Sequence, residues 1–424
     1  MTTEVAVLNS GAIALAADSA VTIGNSKVYN SAVKLFTLSS SEPVGIMIYG
    51  NPTVMGFPWE IIIKSFKKEC QNIAHDRLEE YVTSFFEYIE KSNIFLPLDH
   101  QDDYFINSIN EFFWGIFNEI KEQIEDIYKE EGKTVSKDDS DNIFQKTVIH
   151  HNEELFELEH LGNHDFSFHK ELKSLYTKEI HKSIKSIFSS FTLKKNLINT
   201  LTDVSLKYYL YNQTSGIVIA GYGEKDYYPV VETYEIEGLY KNKLKHNRIE
   251  GKSSRVTHRN RCSIIPFAQE DMIATFMEGM NPFVHDFIYS YLDIVFKKLH
   301  KIINRNDLKG TEKEIDKTIN NYTKGIDAIS KDFFDNLTKY INKYHSRPVL
   351  SMVTALPKED LALMAETLVS ITAFKRKMTY SPETVGGPID VAVISKTDGF
   401  VWIKRKHYFP KDINHRYLQK NIGG

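Results

Sequence analysis

Two spacings of apolar residues alternate along the chain, and together they predict an α+β fold. Residues 4–18 form two short apolar runs around Asn9-Ser10-Gly11, which is the pattern of a β-hairpin. Strand patterns follow at 28–38 and 44–49, where small or β-branched residues occupy both faces. The first fifty residues are therefore predicted to form one sheet that is covered on both sides.

Helical spacing replaces the strand pattern in two long segments. At about 58–211 and again at about 269–344, apolar residues recur three and four positions apart among many lysines and glutamates. Within the first segment, residues 131–141 are polar enough to predict a loop. Because both segments are amphipathic, each needs a partner surface against which to bury its apolar face.

Strand patterns return between and after the helical segments. They occur at 216–220 and 230–236, and again in a hairpin around Asp398-Gly399 that follows a helix near 358–376. Strands in the middle and at both ends indicate one core with helical insertions. The predicted core comprises 1–57, 213–279 and 347–424, and the predicted insertions are 58–212 and 280–346.

Composition narrows the class of protein. The 424 residues carry a net charge of -4, which creates no field for attracting nucleic acid or anionic lipid. Cys70 and Cys262 lack the spacing of a disulfide framework or a zinc site, which favours a reducing compartment. No leader pattern and no long apolar run are present. We therefore expect a cytoplasmic protein with no nucleic-acid or membrane partner, no metal and no cofactor.

Two further segments invite a binding role. The basic stretch 241–261 could contact an acidic partner, but a solvated loop is the simpler interpretation. The histidines between 150 and 169 match no known metal-ligand spacing and predict a polar surface helix with a linker.

The start of the chain offers a nucleophile. A threonine hydroxyl reacts poorly unless a base removes its proton, and a free α-amine on the same residue can do so. Thr2 directly follows Met1, and a small second residue generally permits removal of the initiator methionine. We therefore expect Thr2 to become the first residue without the need for a propeptide.

Four parts of the N-terminal sequence resemble the opening of proteasome β-subunits and of the bacterial HslV peptidase. They are Thr2, Asp18, Lys34 and the tripeptide Tyr49-Gly50-Asn51. Asp18 lies 16 positions after Thr2 (18 − 2) and Lys34 lies 32 positions after it (34 − 2), which are the offsets of the catalytic acid and lysine in that family. With Thr3 as nucleophile, both offsets would be out by one.

The resemblance implies a role for each of these residues. Lys34 would stabilise the threonine alkoxide, and Asp18 would keep the lysine charged and oriented. The family uses a glycine N–H as oxyanion donor, a role that falls to Gly50, with the neighbouring amide of Asn51 as the alternative. Taken alone, Asp18 would be interpreted as a turn residue and Lys34 as a solvated side chain.

A second resemblance lies near the C-terminus. Residues 380–391 and the following hairpin are similar to a segment of the related bacterial peptidase Anbu, in which Ser-Val-Gly precedes Pro-Ile-Asp. When Gly386-Gly387 is aligned with the paired glycines of the family, three residues are candidates for a supporting shell. They are Ser381, Glu383 and Thr384. The Gly-Ser pair of the family is missing after the middle strands, where Pro266-Phe267-Ala268-Gln269 stands instead.

The family implies a four-layer αββα sandwich of the N-terminal-nucleophile (Ntn) hydrolase type, here with large α-helical insertions. Its activity would be hydrolysis of peptide bonds through an acyl-enzyme on Thr2, with a peptide or protein substrate. The resemblance also implies a homo-oligomer and leaves open an ATP-dependent unfoldase as partner. Two other functions stay open: a small-molecule amidase of the same class, and an inactive proteasome-like scaffold or assembly protein.

Overall fold

Blocks of strands and blocks of helices follow one another along the chain in this computed structural model. The described residues are 3–23, 27–29, 32–39, 41–69, 73–92, 94–132, 134–156, 163, 166–208, 214–302, 309–379, 386–407, 409–410 and 413–414. The strands are β1 (Thr3–Asn9), β2 (Ile13–Ala17), β3 (Val21–Ile23), β4 (Lys27–Tyr29), β5 (Leu35–Thr37), β6 (Val44–Gly50), β7 (Thr53–Val54), β8 (Phe57–Pro58), β9 (Ser215–Gly221), β10 (Val230–Tyr240), β11 (Lys243–Arg248), β12 (Ser254–Arg255), β13 (Cys262–Ala268), β14 (Asp390–Ser395) and β15 (Gly399–Lys404). The α-helices are α1 (Trp59–Glu69), α2 (Leu78–Lys91), α3 (Leu98–Glu131), α4 (Lys137–Phe156), α5 (Phe166–Ile187), α6 (Lys195–Tyr208), α7 (Asp271–Glu278), α8 (Pro282–Ile302), α9 (Glu312–Ile341), α10 (Arg347–Ala355) and α11 (Lys358–Lys377). The predicted α+β class is confirmed.

The chain divides into two compact units, and each gathers segments that are far apart in sequence. The first unit comprises Met1–Leu35, Tyr227–Pro229 and Arg255–Gly424, and the second comprises Phe36–Asp226 and Val230–Ser254. The predicted division separates a core from inserted segments, whereas these units are defined by compactness. The predicted division therefore stays a prediction.

The first unit is built on a five-stranded sheet in the order β13-β1-β2-β14-β15. The predicted N-terminal hairpin is confirmed, because β1 and β2 pair antiparallel. Asn9 closes its turn, since its Oδ1 accepts a hydrogen bond from Gly11 N at 2.9 Å. The C-terminal hairpin is confirmed as well: β14 pairs with β15, and Gly399 has the left-handed φ of 73° that the turn requires.

Helix α11 packs on this sheet against β1, β2 and β14. Val5 and Val7 of β1 lie in the same buried cluster as Ala365 and Val369 of α11. The strand residue between them, Ala6, is also fully buried. Because successive strand residues point to opposite sides, the sheet is buried on both faces at β1, as its apolar sequence predicts.

The second unit contains another sheet, in the order β11-β10-β9-β6-β5. The prediction that the first fifty residues form one sheet is therefore wrong. Strand β6 pairs with β9 instead, and the predicted strand at 28–38 is split into β4 and β5. An apolar pattern identifies a strand but not its neighbour, since the partner can come from a distant part of the chain.

Tyr49 and Gly216 form a directly opposed pair in β6 and β9. A Cβ atom added to Gly216 would lie 2.0 Å from the Tyr49 ring, so the ring occupies the space that a side chain would need. The glycine in this strand is thus explained by a close aromatic neighbour.

Helices α3 to α6 of the second unit share one apolar core. Phe105 and Phe113 of α3, Phe144 of α4 and Phe188 after α5 are all fully buried in it. This confirms the helical prediction for most of the segment. The predicted loop at 131–141 is too long, however, because α4 already begins at Lys137.

Local capping explains that boundary. Gly132 ends α3 in a left-handed conformation with φ 66°. Ser136 Oγ then accepts a hydrogen bond from Asp139 N at 3.1 Å and donates one to Asp139 Oδ2 at 2.6 Å. Serine and aspartate are therefore helix-capping residues here, although the same residue types also occur in loops.

In the first unit, α8 and α9 pair with each other along their length. The rings of Tyr289 and Phe334 stack with centroids 4.4 Å apart. Thr311 and Glu314 form a reciprocal capping box at the start of α9. The described part of the chain contains no helix that is both long enough and apolar enough to cross a bilayer.

The basic stretch at 241–261 is not simply a solvated loop, which corrects the sequence interpretation. Part of it forms β11, in which Lys245 is buried and paired with Glu237. Arg248 makes a two-pronged contact with Glu232, at 2.6 and 3.1 Å. The lysine and arginine content alone does not reveal that carboxylates of β10 lie beside this strand.

Candidate functional site

Asp18 and Lys34 meet in the first unit, although they come from different parts of its chain. Asp18 directly follows β2, and Lys34 directly precedes β5. Lys34 Nζ lies 2.5 Å from Asp18 Oδ1. Asp18 is completely buried and Lys34 is 5% exposed. Two of the residues selected by their spacing therefore form a charge-assisted hydrogen bond shielded from water.

Asp18 also collects backbone donors. Its Oδ1 accepts a hydrogen bond from Thr3 N at 3.2 Å. Its Oδ2 accepts hydrogen bonds from Gly386 N at 2.9 Å and from Ala20 N at 3.4 Å. A carboxylate with several N–H donors is held in one orientation, so the lysine that it binds is held as well.

The hairpin explains why the start of β1 reaches this point. Glu4 pairs with Ala17 across β1 and β2, so the next residue outward on β1, Thr3, lies beside Asp18. Asp18 N donates a hydrogen bond to Thr3 O at 3.1 Å. Consecutive Cα atoms lie about 3.8 Å apart, so a tether on Thr3 restricts the reach of the residue that precedes it.

On its other side, Thr3 pairs with Ala268 of β13, and Thr3 Oγ1 donates a hydrogen bond to Gln269 O at 3.3 Å. Ala268 has a left-handed φ of 63°, which is unfavourable for a residue with a side chain. This is the place where the Gly-Ser pair of the resembling family is missing. The chain adopts a conformation here that glycine would tolerate better.

Glu4 is a member of this group that sequence reasoning missed. Its Oε1 lies 3.2 Å from Lys34 Nζ, and the residue is completely buried. Lys34 thus contacts two carboxylates, one on β1 and one after β2. The available signal was a glutamate in the middle of an otherwise apolar strand, which requires a buried partner.

A second lysine lies close to the first. Lys406 Nζ donates hydrogen bonds to Asp390 Oδ2 at 2.9 Å and to Ser19 Oγ at 2.6 Å. Burial lowers the pKa of Lys406, and the Asp390 carboxylate opposes that effect; Lys34 lowers it slightly further. No sequence pattern singles out Lys406, because it follows the last hairpin and is separated from Ser19 by most of the chain.

Four predicted site residues lie outside the described residues: Thr2, Ser381, Glu383 and Thr384. The distance from Thr2 to Lys34 therefore stays a prediction.

Gly50 and Asn51 lie at the end of β6 in the second unit. Gly50 has φ 76°, a conformation that favours glycine. Asn51 Oδ1 accepts a hydrogen bond from Thr53 N at 3.0 Å, which holds the turn after β6. The proposed oxyanion role of these two residues stays a prediction.

The chemistry available to the described group is electrostatic. A buried ammonium beside the start of β1 can stabilise negative charge that develops on a nearby oxygen, and it does so more strongly than in water. Across the described residues, no cluster of three or more histidine, cysteine, aspartate or glutamate side chains is arranged to hold a metal ion.

No protein-family model matches the sequence, and no curated protein sequence matches it. Solved structures do match. Anbu, an ancestral β-subunit, from Yersinia bercovieri is 9% identical with a TM-score of 0.30, covering 99% of this chain and 94% of its own.

Two other Anbu structures match to a similar extent. A Gly-1 mutant from Hyphomicrobium sp. strain MC1 has 9% identity and a TM-score of 0.28, with 100% of this chain and 93% of its own covered. A helical assembly of the Anbu complex from Pseudomonas aeruginosa has 9% identity and a TM-score of 0.29, with coverages of 99% and 93%. The predicted resemblance to this group is confirmed. The chemistry of the candidate site rests on the contacts described above.

Proposed function

We propose that the chain is a proteasome-like threonine peptidase that hydrolyses peptide bonds through an acyl-enzyme on Thr2 after removal of Met1. One observation carries the proposal: the buried Lys34–Asp18 contact, with the backbone of Thr3 bound to the same carboxylate. A lysine fixed beside the start of a strand is the arrangement that a nucleophile at the chain terminus needs.

In the proposed reaction, the α-amine of Thr2 takes the proton from Thr2 Oγ while Oγ attacks the carbonyl carbon of the substrate. The ammonium of Lys34 stabilises the developing alkoxide. The N–H of Gly50, or that of Asn51, donates to the carbonyl oxygen as it becomes negative. The intermediate collapses by breaking the C–N bond, and the leaving amine takes the proton held by the Thr2 amine.

The second half of the reaction regenerates Thr2. The same amine removes a proton from water, whose oxygen attacks the ester carbonyl carbon. The ester C–O bond breaks, the carboxylic acid product leaves, and Thr2 Oγ recovers its proton. The chain needs no redox partner or metal for this sequence. Ser381, Glu383 and Thr384 would support the site by orienting the groups around Asp18.

The proposal includes the architecture that the family implies. We infer a four-layer αββα sandwich with helical insertions, divided as 1–57, 213–279 and 347–424 for the core and 58–212 and 280–346 for the insertions. Burial of both faces of β1 supports it, since an inner layer of a sandwich must be covered twice. A cytoplasmic homo-oligomer, with an ATP-dependent unfoldase as an open partner, belongs to the same proposal.

The test combines intact mass with covalent labelling. Purified protein should lack the mass of Met1, and a peptide-boronate or epoxyketone probe should label it. Thr2→Ala should abolish labelling, whereas Thr3→Ala, the matched control, should retain most of it. Equal labelling of Thr2→Ala and wild type would refute the mechanism. Hydrolysis of small amides but not of peptides would favour the amidase. A folded protein that the probe does not label would favour the scaffold.

A further inference from the structure

We propose that Glu4 is a positioning residue: with Asp18, its carboxylate holds the Lys34 ammonium in place and fixes its direction at the start of β1. The inference rests on the proposed function, because it assigns Glu4 a task in the same site. It is carried by the position of Glu4 Oε1, 3.2 Å from Lys34 Nζ.

Glu4 lies among buried residues, where packing alone does not explain a carboxylate. Every residue of β1 is buried, and the neighbours Val5 and Ala6 are completely inaccessible to water. Removing a carboxylate from water is costly, and an apolar side chain of similar volume often stabilises such a position better. The presence of a glutamate in this strand is therefore better explained by its contact with Lys34 than by packing.

With Asp18 as its only carboxylate contact, the Lys34 ammonium would have a less well defined direction. The Asp18 Oδ1 that binds Lys34 Nζ is shared with Thr3 N, and its other oxygen serves Gly386 and Ala20. One contact fixes a distance but lets the ammonium pivot. The second contact, from Glu4, comes from a different strand and restricts that movement.

The geometry around Lys34 points the same way. Asp18 Oδ1 lies 2.5 Å and Glu4 Oε1 lies 3.2 Å from Lys34 Nζ. The charged pair formed by Lys406 and Asp390 lies nearby. A lysine held by two carboxylates has a defined direction, which a group that stabilises an alkoxide at a fixed place requires.

The experiment compares Glu4→Gln with wild type, using steady-state hydrolysis of a fluorogenic peptide. Glu4→Gln should lower kcat about tenfold while KM changes by less than about twofold, because the lost contact acts on the transition state.

Two further variants separate charge from packing. Glu4→Asp keeps the charge and should recover most of kcat. Glu232→Gln is the matched control, because Glu232 is a buried carboxylate paired with Arg248 in the other unit, and it should leave kcat unchanged. If Glu4→Gln does not fold by circular dichroism, Glu4→Met, an apolar side chain of similar length, becomes the test. A kcat of folded Glu4→Met well below that of wild type supports the inference, and an equal kcat overturns it.

The outcomes distinguish this inference from the proposed function. If Thr2→Ala cleaves the peptide as fast as wild type, the proposed function fails whatever Glu4 does. If Thr2→Ala is inactive but folded Glu4→Gln matches wild type in kcat and KM, only the role of Glu4 is overturned. A loss of activity in Glu232→Gln equal to that in Glu4→Gln would also overturn it, because the effect would then be general destabilisation.

Discussion

A buried lysine meets a buried carboxylate in both units, Lys34 with Asp18 in the first and Lys245 with Glu237 in the second. The contacts differ in their surroundings. Asp18 accepts hydrogen bonds from the backbone of its near neighbour Ala20 and of two other segments, at Thr3 and Gly386. Lys34 has Glu4 as a second anion. Glu237 and Lys245 lie on adjacent strands of one hairpin, where the register shifts beside Glu237. Burial of an ion pair is therefore not by itself a sign of a catalytic site; the convergence of distant segments is more informative.

The two pairs also differ in how their charges are maintained. Burial raises the pKa of Glu237 to about 7 and lowers the pKa of Lys245 to about 8, while their mutual attraction opposes both effects. The second pair is thus close to losing its charges near neutral pH. Three experiments test this contrast between the two pairs.

The largest effect is expected when each lysine is replaced by methionine and catalysis is measured. Lys34→Met should lower kcat/KM by about 10³-fold or more, corresponding to about 4 kcal/mol, because a preorganised charge at the reacting oxygen is lost. Lys245→Met should change kcat/KM of the folded protein by less than about threefold. Peptide hydrolysis at matched concentrations of folded enzyme measures both, and an equal loss in the two variants would erase the distinction.

Stability should separate the variants of the second pair. Lys245→Met removes the cation that offsets the burial of Glu237, so folding at pH 8 must either bury the charge of Glu237 or add a proton to it. The free energy of unfolding should fall by about 3 kcal/mol. The double variant Glu237→Leu/Lys245→Met should recover most of that loss, since an apolar pair of similar volume packs in the same place. Urea unfolding measures both values. A double variant as unstable as the single one would mean that the ion pair is needed for the hairpin to fold.

The smallest effect concerns the pH dependence of the second pair. Glu237 has a pKa above its unfolded value of 4.5, so its contribution to stability is lost as pH rises toward 7. Lys245 has a pKa below its unfolded value of 10.5, so its burial weakens the fold below pH 8 and ceases to do so as pH rises toward 10.5.

The two signs combine into one expected profile. The unfolding free energy of wild type relative to the double variant should be lowest between about pH 7 and 8, by about 1–2 kcal/mol compared with pH 5 or pH 10. Urea unfolding at these pH values measures it. A flat difference would show that the charges of the pair are unaffected by burial.

Local chemistry explains which parts of the fold were predictable. The first hairpin was predicted because Asn9-Ser10-Gly11 interrupts two apolar runs, and the last because Asp398-Gly399 does the same. The sheet neighbours of β6 were not, since nothing near Val44 indicates a pairing with β9. The helix start at Lys137 was missed because Ser136 caps a helix with the same hydroxyl that a loop would expose to water.

The candidate site shows the same limit. Asp18 and Lys34 were selected by their offsets from Thr2, and the structure brings these two together. Glu4 and Lys406 had no such offset, and their importance depends on which side chains lie across the strand or beyond the terminal hairpin. A charge is interpreted as solvated until its partner is known, as Lys245 in the basic stretch also shows.

The tyrosine ring that fills the space above Gly216 has a consequence for the ancestry of this chain. A side chain at 216 would lie 2.0 Å from the ring, so the glycine can be replaced only after position 49 has lost its aromatic residue. The order of substitutions is therefore constrained. If the substitution at 216 came first, the new side chain would clash with the Tyr49 ring and disturb the pairing of β6 with β9. Among descendants of one ancestor, an aromatic residue at 49 and glycine at 216 should be inherited together, and the two positions should co-vary even where the rest of both strands has drifted.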